Sequence, residues 1–193
     1  MATTYTNSAT APALQRIVQA IDTAVAGRSP AHAFSAVRAV LPLLVADPQI
    51  ALPAALYHPQ PGSYARRELH RSREHGYSVV AMTWGPGQGT PLHDHAQQWC
   101  VEAIWAGILE ITPYQLLVQD GDCYRFTAGN PTLARRGDCS AISPPGEYHT
   151  VRNPDTEHVA LSVHVYQRPI EQCTMFVPRG DHHHRQALAL GCS

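Results

Sequence analysis

The chain has 193 residues, 44% of them hydrophobic and only 15% charged, with a formal net charge of −1. That composition excludes a disordered chain and offers no basic field to recruit nucleic acid, while the length suits one domain with a sizeable core. Twelve histidines are many for this length, and 16 prolines with 13 glycines indicate frequent turns.

Residues 1 to about 11 read as a loose leader without the basic-then-apolar pattern of a secretory signal. From there Leu14, Ile17, Val18, Ile21 and Val25 fall at helical spacing. Ser29-Pro30 opens a second helix, with Ser29 as N-cap, Pro30 at the first helical position and an apolar set of Phe34, Val37, Val40 and Leu41. A short helical or irregular piece follows over residues 47 to 58. Arg38 and Pro42 break the best apolar run, so no membrane span and no membrane partner is expected. The five cysteines, Cys100, Cys123, Cys139, Cys173 and Cys192, are odd in number and lack a C-x-x-C pair. This argues against a disulfide framework or zinc knuckle, and the expected compartment is the cytoplasm.

From Tyr64 the pattern changes to short apolar or alternating runs: YSVVAMTW, WCVEAIWAG, ILEITPYQLLV, CYRFTAG, PTLARRG, SAISPPG, YHTVRN and VALSVHVYQ. Gly, Pro, Asn or Asp punctuates most of them, as in an all-β barrel or sandwich. The expected organisation is an N-terminal helical segment (1–63) packed on a β barrel (64–180), then a tail (181–193). The tail has no clear period, and its His182-His183-His184 run reads more readily as a solvated surface than as a metal site.

Two segments concentrate chemistry. In GTPLHDHAQQWC, His93 and His95 stand two apart on an extended stretch, so both imidazoles face one side and Asp94 faces the other. In SPPGEYHTVRN, a Pro-Gly turn precedes His149 and can return the chain toward them. Three neutral imidazoles on one side of a cation leave open positions, and they suit Fe, Zn, Cu or Ni.

The two segments together resemble the paired motifs of the cupin superfamily, which implies a jelly-roll barrel. There are two departures. Gly137 lies one residue too far before Pro144, and the motif's glutamate ligand, due at residue 99 or 100, is replaced by Trp99 and Cys100. Glu102 can share the face of Cys100 but falls outside the motif spacing. A three-histidine cupin with cysteine at the glutamate position looks like a member of the cysteine dioxygenase family. That resemblance implies Fe(II) on His93, His95 and His149 and oxidation of a small mercapto-carboxylate by O2 to its sulfinate. It implies catalytic roles for Ser162, His164 and Tyr166 in LSVHVYQ, and a possible thioether link between Cys100 and Tyr166. It also assigns Arg66, with Tyr64, to the substrate carboxylate, while Arg67 is read as a surface charge on the opposite face. Mercaptosuccinate is preferred over cysteine and 3-mercaptopropionate as substrate. The alternatives are a non-redox metal-dependent cupin enzyme, isomerase-like, or a ligand-binding cupin without catalysis. Oligomeric state is open.

Overall fold

The computed structural model describes residues 11–191, so the expected leader, apart from Ala11, and Cys192 lie outside the described residues. Two helices come first, α1 (Ala11–Val25) and α2 (Pro30–Ala46). Ile17 and Ile21 are fully buried from α1, and Val37 and Leu41 from α2. The Ser29 side chain accepts a hydrogen bond from His32 N, and Pro30 occupies the first turn, where its missing N–H costs nothing. A short 3-10 helix, Ala54–Tyr57, leads into the strands.

Twelve strands follow: β1 (Ala65–Arg71), β2 (Ser78–Trp84), β3 (Leu92–His93), β4 (Cys100–Ala106), β5 (Ile108–Asp120), β6 (Cys123–Ala128), β7 (Thr132–Arg135), β8 (Cys139–Ile142), β9 (His149–Arg152), β10 (Ala160–Tyr166), β11 (Gln172–Arg179) and β12 (His182–Ala189). They form two antiparallel sheets. One has the order β1-β2-β10-β4-β8, and the other β6-β12-β11-β3-β9-β5-β7 with an added β5–β6 pairing. Neighbours distant in sequence lie side by side, as in a cupin double-stranded β-helix, and the all-β barrel with an N-terminal helical segment is the fold.

The three inner strands of the five-stranded sheet, β2, β10 and β4, are buried on both faces, which is why they are largely apolar, whereas the edge strand β1 is mostly charged. Along β10, Leu161, Val163 and Val165 point outward into a core shared with α1, α2, Trp99 and Trp105. Ser162, His164 and Tyr166 alternate with them and therefore point into the barrel. The same alternation on β4 sends Cys100, Glu102 and Ile104 inward and Val101, Ala103 and Trp105 toward the helices. Gly107 sits at φ +74°, where an added Cβ would lie 2.8 Å from Ala160 Cα and Val159 O, so this turn between β4 and β5 requires glycine.

Two expectations need correction. The stretch read as an unpatterned tail contains β12, which pairs along its whole length with β11 and at its start with β6. Its polar residues hide the pattern because its outer face meets solvent. Arg67 does lie opposite Arg66, but it is buried, donating to Thr83 Oγ1 at 2.9 Å and to the His58 carbonyl at 2.9 Å. The residues before β1 cover that face of the sheet, so the guanidinium ties them to the barrel.

Candidate metal centre and its surroundings

His93 lies on β3 directly opposite His149 on β9, and His95 follows in the turn after β3. The ring centroids are 4.7 Å apart for His93 and His149, 4.9 Å for His95 and His149, and 5.2 Å for His93 and His95. One ring nitrogen from each comes within 4.8 Å of the other two. Burial pushes all three imidazoles below the usual histidine pKa, His95 and His149 well below it, so they are neutral and carry lone pairs near pH 7. His93 Nδ1 lies 3.0 Å from the Pro91 carbonyl, which places the proton there and frees Nε2. His95 and His149 each keep a buried Nδ1 with no hydrogen-bond partner. Converging neutral imidazoles with unsatisfied buried nitrogens fit a metal ion and make a poor packing cluster by themselves.

The turn carrying His95 is held by two carboxylates. Asp94 Oδ1 accepts from Ala96 N and from Thr174 N on β11, so Asp94 serves the loop, and it is outside the group of convergent ligand atoms. Glu147, fully buried, accepts from His95 N at 3.2 Å and from Gln97 Nε2 at 2.7 Å. Ala96 and Gln97 both take positive φ, a tight non-glycine turn that these bonds sustain. Glu147 thus couples the two motif segments. Nothing in the sequence marks it beyond its place two residues before His149. Asn153 plays a similar part: its Nδ2 reaches the carbonyls of Trp84, Gly85 and His158.

Beside the imidazoles runs a buried polar row. Trp84 Nε1 donates to Ser162 Oγ at 2.9 Å, and Ser162 Oγ lies 2.8 Å from His164 Nε2. Because the indole can only donate, the arrangement that uses every proton has the Ser162 hydroxyl donating to Nε2. His164 Nδ1–H then faces Cys100 Sγ at 3.9 Å and Glu102 Oε2 at 3.2 Å. The approach to Glu102 is close but misaligned, leaving both its carboxylate oxygens without a hydrogen bond. Burial raises Glu102 to about 7 and lowers His164 to about 3, where the positive charge of Arg66 adds to the effect.

Tyr166 stands directly across from Cys100 in the β4–β10 register. The two side chains are hydrogen-bonded, and burial keeps both the thiol and the phenol protonated. Cys100 is not among the convergent metal-ligand atoms. The Arg66 guanidinium lies 5.9 Å from the Tyr166 ring centroid and donates to the Ile170 carbonyl at 3.1 Å. Tyr64 stacks on Trp84 at 4.7 Å.

The pocket is small and is lined by the three histidines, His164, Tyr166, Tyr64 and Trp84. Arg66 lines an adjoining recess that shares Tyr64 and Pro91 with it. Cys173, unassigned by the sequence reading, also lines the pocket, and burial pushes its thiol up to about 12.

Residues 60–179 match the family profile described as "Cysteine dioxygenase type I". Among curated proteins, the chain is 26% identical over 107 residues to cysteine dioxygenase type 1 of Danio rerio, covering 55% of this chain and 53% of the relative. It is 25% identical over 112 residues to the Homo sapiens protein, covering 58% and 55%. The chain therefore spans about half the length of the curated relatives it matches. A solved protein with a double-stranded β-helix domain from Klebsiella pneumoniae aligns at TM-score 0.44 and 20% identity, over 60% of this chain and 87% of that one.

Proposed function

The chain belongs to the cysteine dioxygenase family, and from that premise we propose that it is a thiol dioxygenase oxidising a small mercapto-carboxylate. The balanced reaction is RSH + O2 → RSO2H, with both oxygen atoms entering the sulfinate. The observation that carries this reading is a convergent His93–His95–His149 group with no carboxylate among its ligand atoms in the described residues, beside Tyr166, which lines the same pocket and stands across from Cys100.

His93, His95 and His149 would hold Fe(II), which when bound supplies the open coordination positions and the redox capacity for oxygen chemistry. The ligand set is neutral, so anionic substrate groups are favoured there. Arg66 captures the substrate carboxylate at the boundary of the pocket and its adjoining recess, where a planar guanidinium can bind bidentately. Tyr64, stacked on Trp84, closes the wall beside it. The Tyr166 phenol, held protonated by burial, donates a hydrogen bond to the reacting substrate. His164 and Ser162 order the buried row that fixes Tyr166 and Cys100 in place.

A pocket walled by three imidazoles, the Tyr64, Trp84 and Tyr166 rings and Met82 suits only a small molecule. Mercaptosuccinate is the preferred substrate, its second carboxylate extending past Arg66 toward Gln60 and Ser63 of the recess. Oxygen uptake by iron-loaded protein with mercaptosuccinate, cysteine and 3-mercaptopropionate tests both levels. The highest kcat/KM identifies the thiol. If none drives uptake, a non-redox cupin enzyme or a binding module takes the place of the dioxygenase. His149→Ala is expected to lose both iron and turnover.

The family resemblance also implies a thioether between Cys100 and Tyr166, formed by loss of two hydrogens with O2 as oxidant. Intact mass after turnover should then fall by about two units. Cys100→Ser and Tyr166→Phe should each abolish the change.

A further inference from the structure

We propose that Cys123, His182 and His184 form a second metal site, on the outer face of the barrel, that takes Zn2+ with one position open to solvent. His182 and His184 are two apart on β12 and share a face. Cys123, the first residue of β6, is the cross-strand partner of His184. One donor atom from each lies within 4.8 Å of the others. His182 Nε2 is 3.2 Å from His184 Nε2, and Cys123 Sγ is 4.0 Å from His184 Nε2. Tetrahedral zinc with ordinary Zn–N and Zn–S bonds sets such donors roughly 3.3–3.6 Å apart, so only a small closure of the sulfur is needed.

The proton positions agree with this. Asp181 Oδ1 lies 3.0 Å from His182 Nδ1, within hydrogen-bond distance. The proton therefore sits on Nδ1, leaving the Nε2 lone pair aimed at the cluster, as carboxylate-buttressed zinc histidines do. Two imidazole nitrogens 3.2 Å apart beside a thiol gain more from a shared cation than from each other. His183, between them, points the opposite way and packs edge-on against Phe126 at 5.4 Å. The thiolate distinguishes this site from the three-imidazole centre and selects a softer cation. Occupied, it would cross-link the start of β12 to β6. Leu188, near the other end of β12, lines the candidate active pocket.

The test uses iron-loaded protein. Added Co2+ should give a thiolate-to-cobalt charge-transfer band saturating near one equivalent. Cys123→Ser and His184→Gln should each lose that band and about one equivalent of Zn2+ uptake. In the wild type, Zn2+ should slow alkylation of Cys123, mapped by mass spectrometry, by about tenfold or more, since a coordinated thiolate is a blocked nucleophile. A band that survives in Cys123→Ser would overturn the assignment. So would Cys123 alkylation at one rate with and without Zn2+, a readout that needs no variant to fold.

Discussion

Glu102 illustrates how a single residue escapes motif reasoning. It lies too far along the chain for the cupin glutamate position, yet β4 alternation turns it inward with Cys100 and sets it 3.2 Å from His164. Its burial raises its pKa from 4.5 to about 7. A carboxyl whose folded pKa is raised holds its proton more tightly when folded. Its contribution is complete below about pH 4.5, declines through the window up to about 7, and is gone above it, a span worth on the order of 3 kcal/mol. Glu102→Gln should therefore flatten the pH dependence. Between about pH 5 and about pH 8, wild-type Tm should fall relative to the variant's in parallel thermal melts. Equal slopes would mean that Glu102 is not the titrating group.

At the scale of elements, the metal centre depends on a short connection rather than on long strands. β3 has two residues, and His95 sits beyond it in a turn with positive φ at Ala96 and Gln97. Glu147, on the β8–β9 turn, holds that connection through His95 N and Gln97 Nε2. Removing it leaves the buried His95 N–H unpaired and frees the His95 ring to wander. Glu147→Ala should weaken metal binding about 10- to 100-fold, the usual cost of losing a group that orients a ligand, with near-native far-ultraviolet circular dichroism. Competition with a chelator of known affinity would measure it. Glu147→Gln, which can still accept through its amide oxygen, should recover much of the loss.

For the whole molecule, β12 completes the larger sheet. Pairings run β5–β6–β12–β11–β3–β9 and back to β5, so the strand read as a tail joins two parts of the barrel. Truncation after Gly180 would expose the edges of β6 and β11 and remove Leu188 from the pocket wall. The expected product is aggregated or shows no cooperative melt. A soluble monomer with native Tm would argue that the barrel closes without β12.

The amino-acid sequence by itself determined the two amphipathic helices, eight of the strands and the three histidines of the candidate centre. Periodicity and turn residues are local signals, and they need no partner to be read. His93 and His95 were legible because an i, i+2 pair on extended chain shares a face wherever the strand ends up. Only the tertiary structure decided the rest. β11 and β12 draw their order from pairing, which leaves little hydrophobic pattern on a strand with one wet face. Arg67 is buried because another segment happens to cover it. Glu102, Glu147 and the Cys123–His182–His184 cluster matter through neighbours 52 to 62 positions away, taking Glu102 with His164, Glu147 with His95 and Cys123 with His184. Those distances are set by strand register, and no local pattern in the chain specifies them.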